Sequence, residues 1–302
     1  METKPTLEFS PEKMDFRAYS ISWNLTKRCN LNCDHCYLDA DFRGGLKNDE
    51  LSTEECFRVI DQIAEVNPNA FLILTGGEPL LRPDIYEIIR YAADRKFMVV
   101  LGTNGTMINR VNAEKIKAAG AHGVGISIDS MNPDKHNKFR GVDKAWELSM
   151  EAFDILNEVG VDFLVQMSVS DMNYKEIPEV VEFTEKIGAI AFNLYFLVCT
   201  GRGQGNTDIS NAAYEEALKM LYEQQMKYKG RLMINSKCAP QYKRVVYEND
   251  PESVYTRTYS GGCPAATHYS RISPEGNLTP CPFIEESVGN LKTRTFKDLW
   301  EN

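Results

Sequence analysis

From Tyr19 to about Gly205 the chain alternates short apolar runs with longer amphipathic stretches, and this rhythm restricts the fold more than any other feature. Ile21–Leu25, Ala70–Leu74, Phe97–Leu101, Gly123–Ile128, Phe163–Val169 and Ala191–Leu197 are too short for helices and rich in β-branched or aromatic residues, so they are predicted as strands. Between the first two, Leu51–Val66 opens with Ser52 and Glu55 at capping-box spacing and sets Cys56, Val59, Ile60 and Ile63 on one helical face. Pro83–Arg95, Asn109–Ala119, Ala145–Glu158 and Ile177–Ile187 repeat the pattern. One helix between each strand and the next is what parallel neighbours require, so the expectation is an α/β fold: a partial (β/α)6 barrel of the TIM type.

In such a barrel the loops leaving the carboxyl ends of the strands converge on one face, where chemistry is done. The unusual residues fall there. After the first strand come Cys29, Cys33 and Cys36; after the second, Gly76, Gly77, Glu78 and Pro79; after the third, Thr103, Asn104 and Gly105. The fourth ends in Asp129 and Ser130, the fifth in Ser168, Ser170 and Asn173, and the sixth in Cys199 through Gly203. Beyond Gly205 the rhythm is read as stopping. A helix from about Ser210 to Lys229, the run Leu232–Asn235 and a hairpin from His268 to Cys281 turning at Pro274–Asn277 form the remainder. The expected division is an N-terminal extension (1–18), the barrel (19–205) and a small C-terminal domain (206–302) that packs on it, since no low-complexity linker separates them.

A net charge of −9 has the wrong sign for condensing on phosphate backbones, so nucleic acid is not an expected partner. No apolar run is long enough to span a membrane, and METKPTLEFSPEK lacks the apolar core of a secretory signal; no membrane is expected, and a cytoplasmic location is. Eight cysteines in 302 residues are too sparse for a disulfide scaffold, and they are read as ligands or core residues. Cys56, on an apolar helix stripe, is assigned to the core.

The C-x3-C-x2-C spacing of Cys29, Cys33 and Cys36 lets three thiolates converge on a soft metal centre. Three ligands leave one position open: in a four-iron cluster one iron lacks a protein thiolate, whereas an electron-transfer ferredoxin supplies all four. Zinc with His35 as fourth ligand, and free core thiols, are the alternatives. The stretch Thr26-Lys27-Arg28-Cys29-Asn30-Leu31-Asn32-Cys33-Asp34-His35-Cys36-Tyr37, followed by Gly76-Gly77-Glu78-Pro79, resembles the signature of the radical S-adenosylmethionine (SAM) superfamily. The resemblance implies that Cys29, Cys33 and Cys36 hold a [4Fe–4S] cluster whose open iron binds SAM. It further implies that reductive cleavage of SAM yields a hydrogen-abstracting radical, and that a low-potential donor such as ferredoxin or flavodoxin supplies the electron. By the same analogy Gly76, Gly77, Glu78 and Pro79 line the methionine part of SAM, Glu78 accepting from its ammonium. Ser168 and Asn173 serve the carboxylate or ribose, and Tyr37 sits near the adenine. Simple turn and loop-cap roles are the alternatives for Gly76, Gly77, Ser168 and Asn173, and helix capping for Asp129.

Cys263 and Cys281, in a C-x12-G-x4-C pattern with Gly276 at the turn, resemble the opening of a SPASM or twitch domain, which carries at least one auxiliary iron–sulfur cluster; Cys238 is the candidate third ligand and Cys199 a distant one. A full SPASM domain continues with a further cysteine-rich run. Here the sequence ends 21 residues past Cys281, so either the form is truncated or one auxiliary cluster is bound incompletely; Phe296-Lys297-Asp298-Leu299-Trp300 resembles the segment that precedes that run and favours truncation.

The segments Leu197–Gly203, Lys237–Arg244 and Gly262–Tyr269 resemble the superfamily branch acting on iron tetrapyrroles in siroheme-dependent heme or heme d1 formation, the didecarboxysiroheme deacetylase type foremost. That resemblance implies an iron tetrapyrrole substrate and removal of acetate side chains. Arg202, Lys243, Arg244, Arg257 and Arg271 are candidate partners for its carboxylates, and His268 for its iron or as a proton donor. A peptide-modifying SPASM enzyme is the rival, disfavoured by the short stretch before Ile21; a non-catalytic iron–sulfur or zinc protein is the reading from another class.

Overall fold

A computed structural model describes residues 18–45, 49–205, 209–253 and 262–301; nearly all of the N-terminal extension, and Arg257, lie outside them. Ten strands build one sheet. They are β1 (Ser20–Asn24), β2 (Phe71–Thr75), β3 (Met98–Thr103), β4 (Gly123–Ser127), β5 (Phe163–Val169), β6 (Ala191–Phe196), β7 (Met233–Lys237), β8 (Tyr269–Ile272), β9 (Asn277–Thr279) and β10 (Gly289–Asn290). Their order is β10-β9-β8-β1-β2-β3-β4-β5-β6-β7, parallel from β8 to β7 and antiparallel in the hairpin that follows β8.

The six expected strands form within one or two residues of their predicted ends, because alternate side chains have an apolar place to go. Ile21, Trp23, Leu72, Leu74, Val124, Ile126, Phe192 and Leu194 are fully buried in one core with the apolar stripes of the crossover helices. Those helices are α1 (Thr53–Val66), α2 (Ile85–Asp94), α3 (Arg110–Ala118), α4 (Pro133–Arg140), α5 (Ala145–Val159), α6 (Ile177–Lys186) and α7 (Asn211–Lys227); α8 (Tyr242–Asn249) and α9 (Phe296–Glu301) complete the set. Ser52 caps α1 reciprocally with Glu55, and Cys56 is buried on its inner face.

Three features depart from the sequence reading. The βα rhythm does not stop at Gly205: α7 leads into β7, which pairs with β6 from Ala191↔Met233 to Tyr195↔Lys237. An edge strand with one well-buried apolar residue, Ile234, sends too weak a pattern to be extended that far. Two helices, not one, separate β4 from β5. The missed one, α4, is short and charged, though Asn132, Pro133 and left-handed Gly141 (φ 68°) mark its ends. Finally, β8 of the expected hairpin lies beside β1, with Ser20↔Tyr269 and Ser22↔Arg271 in register. The sheet therefore runs unbroken across 205/206.

No hydrogen bonds join β7 to β8, yet the sheet curls until groups near these two strands sense each other's charge: Cys238 with Cys263 and Cys281, and Tyr269 with Tyr195. The result is an open, curved α/β sheet. Among the described residues no helix is long and apolar enough to cross a membrane.

Candidate functional site

The loop after β1 carries the first three cysteines and is closed at its base by parallel pairing of Arg28–Cys29 with Asp41–Phe42. Cys29 and Cys33 are buried and Cys36 is half-buried, and all three sulfurs lie within reach of one another's charge. Each sulfur faces one donor. The Leu31 N–H points at Cys29 Sγ and the Ala40 N–H at Cys36 Sγ, both at 3.4 Å, while Arg140 Nη1 stands 4.0 Å from Cys33 Sγ. Burial pushes the Cys29 thiol up to about 12, with the neighbouring sulfurs adding to the rise. Such a trio gives up its protons to a bound cation rather than to water.

Among the described residues no set of three His, Cys, Asp or Glu side chains converges on a single ion. Three thiols on one loop are one short of the closed four-ligand set of a structural zinc ion and match a four-iron cluster with one iron left open. His35, the alternative fourth ligand for zinc, stacks on Phe139 with ring centroids 3.9 Å apart.

The two glycines after β2 have a tangible task at this loop. Gly77 donates its N–H to Thr26 O (2.7 Å) and Glu78 to Arg28 O (2.8 Å), and a Cβ on Gly77 would stand 2.2 Å from Arg28 O. Only a glycine permits that approach. From the other side, Gly201 packs on the carbonyls of Cys36 and Tyr37. Arg202 next to it donates to Cys33 O (3.1 Å) and Ala40 O (2.7 Å). Arg202 thus staples the cysteine loop.

Glu78 is fully buried. It accepts from the Leu80 N–H (3.0 Å), the Asn104 N–H (2.9 Å) and Thr103 Oγ1 (2.8 Å). Burial outweighs these donors and raises its carboxyl from 4.5 to about 7. A carboxyl whose folded value lies above its unfolded one contributes stability that is complete below about 4.5 and is lost as pH rises through about 7. Wild-type protein is therefore expected to lose ground to Glu78→Gln, in urea midpoints, as pH is raised from about 5 to about 7.5. A midpoint difference that stays constant across this range would contradict the assignment.

At the ends of β4 and β5, Asp129 is fully buried in an ion pair with Arg140 (2.6 Å) and accepts from the Ser168 N–H (2.9 Å). Asn173, also buried, donates to Asp129 O and Ser168 O, both at 2.8 Å, and accepts from the Ser170 N–H. Its amide closes this loop, and the half-buried Ser168 side chain faces the open side of the sheet. Tyr37 OH accepts from Asn24 Nδ2 (2.8 Å), and its ring meets the edge of Phe283.

The second sulfur trio gathers across the seam of the curled sheet. Cys238 follows β7 in a left-handed conformation (φ 59°), Cys281 follows β9, and Cys263 precedes β8; Cys238 senses both partners. Arg244 is paired with Glu215 and Glu248 at the surface, not turned to the concave face. His268 stacks on Tyr19. Sequence reasoning missed Arg140, Lys237, Tyr195 and Tyr269. For Arg140 the helix caps around 132–141 offered a signal; for the others nothing local did.

Comparison with known proteins agrees with this geometry. Residues 23–184 match the model of the radical SAM superfamily. A protein of Methanosarcina barkeri named AdoMet-dependent heme synthase is 36% identical over 294 residues, covering 93% of this chain and 82% of that relative. The Fe-coproporphyrin III synthase of the same organism is 29% identical, covering 97% and 75%. Among solved structures, SuiB of Streptococcus suis bound to S-adenosylmethionine superposes with a TM-score of 0.76 at 17% identity, over 95% of this chain and 66% of SuiB.

Proposed function

The chain belongs to the radical SAM superfamily, and from that premise we propose that it is an enzyme removing carboxylated side-chain groups, acetate foremost, from an iron tetrapyrrole in heme or heme d1 formation. Cys29, Cys33 and Cys36 would hold the SAM-binding [4Fe–4S] cluster, and Cys238, Cys263 and Cys281 an auxiliary one. With SAM bound, the cluster supplies reductive cleavage of SAM and, through it, hydrogen-atom abstraction. The chain's own part is positioning. Gly76, Gly77, Glu78 and Pro79 clamp the cysteine loop and, with Tyr37, Ser168 and Asn173, would line SAM, while the curled sheet encloses the substrate. An external low-potential donor such as ferredoxin or flavodoxin would deliver the electron.

The observation that carries the tetrapyrrole reading is identity: three relatives named AdoMet-dependent heme synthase are 33–36% identical over 93% of the chain, whereas relatives named for subtilosin biosynthesis and PqqA cyclisation reach about as far at 28% and 25%. The likeness to peptide-bound SuiB, at 18% identity, speaks to fold alone.

Anaerobically reconstituted, reduced protein incubated with SAM and an iron tetrapyrrole bearing acetate and propionate groups is expected to release 5′-deoxyadenosine together with a product lighter by acetate-sized units. Loss of carbon-dioxide-sized units instead would replace acetate release by decarboxylation of the side chains. Product formation only from a precursor peptide would remove the tetrapyrrole.

A further inference from the structure

The cations around the strand ends are not equivalent. Arg140 is spent on Asp129, Arg82 on Asp84, Arg202 on the cysteine loop, and Arg244 on two surface glutamates. Lys237 differs. It ends β7 in register with Tyr195, shares a face with Asn235, which bonds Asn193 at 2.9 Å, and is half-buried. It has no ion pair or hydrogen bond among the described residues, only the Cys238 thiol within reach of its charge.

Arg271, on β8 across the seam, is also half-buried. It donates to the neutral Asn24 Oδ1 (2.6 Å), and although Glu275 lies within reach of its charge the two form no ion pair. Tyr195, Tyr37 and Tyr269 lie within reach of one another's charge between these cations.

Removing a cation from water without an anion costs free energy, and the debt is settled when a ligand brings the anion. Two such cations, one on each side of the seam, suit a ligand with more than one carboxylate. We propose that Lys237 and Arg271 form a two-sided clamp that receives carboxylates on the side chains of the substrate; the proposal rests on the tetrapyrrole reading above.

Absorbance titration of the reconstituted protein with iron coproporphyrin III and with its tetramethyl ester tests the clamp. Wild-type protein is expected to bind the acid more tightly than the ester. Lys237→Gln and Arg271→Gln should each weaken binding of the acid by about tenfold or more, as loss of a buried charged contact does, and leave the ester unchanged. Lys237→Arg and Arg271→Lys should retain most of the preference. Iron content and thermal midpoint report that each variant is folded and loaded, and the SAM affinity of Lys237→Gln is expected to be unaltered. Variants that bind the acid as wild type does, equal binding of acid and ester by wild type, or loss of SAM binding with porphyrin binding intact would each overturn the clamp while leaving the substrate class standing. Failure of wild-type protein to bind either porphyrin would overturn the tetrapyrrole reading and the clamp with it.

Discussion

Replacement of Cys29, Cys33 and Cys36 by Ala is expected to strip one four-iron cluster from the anaerobically reconstituted protein and to bring SAM cleavage down to the uncatalysed background, while iron held by Cys238, Cys263 and Cys281 remains. The loss should be all-or-none, because a three-ligand site has no redundancy: its fourth corner is reserved for a small molecule. Single replacements should show the same. Iron counting with visible absorption and low-temperature resonance of the reduced protein reads the first site separately from the second. Full iron content in the triple variant, or zinc in wild-type protein at that loop, would contradict the assignment.

Much of this site was legible because it depends on local chemistry. Cysteine spacing, the Gly-Gly-Glu-Pro segment and period-two apolar runs are properties of short windows, and the strands they predict are present. What escaped depends on partners distant in sequence. β7 is a strand because β6 offers it an edge, not because Met233-Ile234-Asn235-Ser236-Lys237 is apolar. Glu78 reads from the sequence as an acceptor for an ammonium group, and the fold gives its carboxylate Thr103 and Asn104 as donors, which no short window shows. Arg202 and Arg271 look alike as loop and hairpin arginines; only the folded chain shows one holding carbonyls of the cysteine loop and the other without an anion. A pattern reports which residue types are present, and the tertiary structure decides which of their hydrogen-bonding groups remain unspent.

The ion pair of Asp129 and Arg140 supports the second large effect. Asp129 is fully buried and Arg140 nearly so. Their contact at 2.6 Å joins the end of β4 to α4, and through the Ser168 N–H to β5, immediately behind Cys33. Asp129→Ala would strand the guanidinium in a dry site without its anion, at an expected cost of about 3–5 kcal/mol. Asp129→Asn keeps the shape and an acceptor for Ser168 and isolates the charge. Burial raises the Asp129 carboxyl, but Arg140 and the nearby His35 and His136 outweigh it, leaving it below 3.8. A depressed carboxyl contributes stability that is present above its unfolded value and disappears as pH falls through the folded one. The deficit of Asp129→Asn against wild type should therefore be complete at neutral pH and shrink below about pH 4, measured by urea midpoints. A deficit that is constant with pH would mean that the pair acts by shape alone, and a deficit under about 1 kcal/mol at pH 7 would mean that water or another anion reaches Arg140.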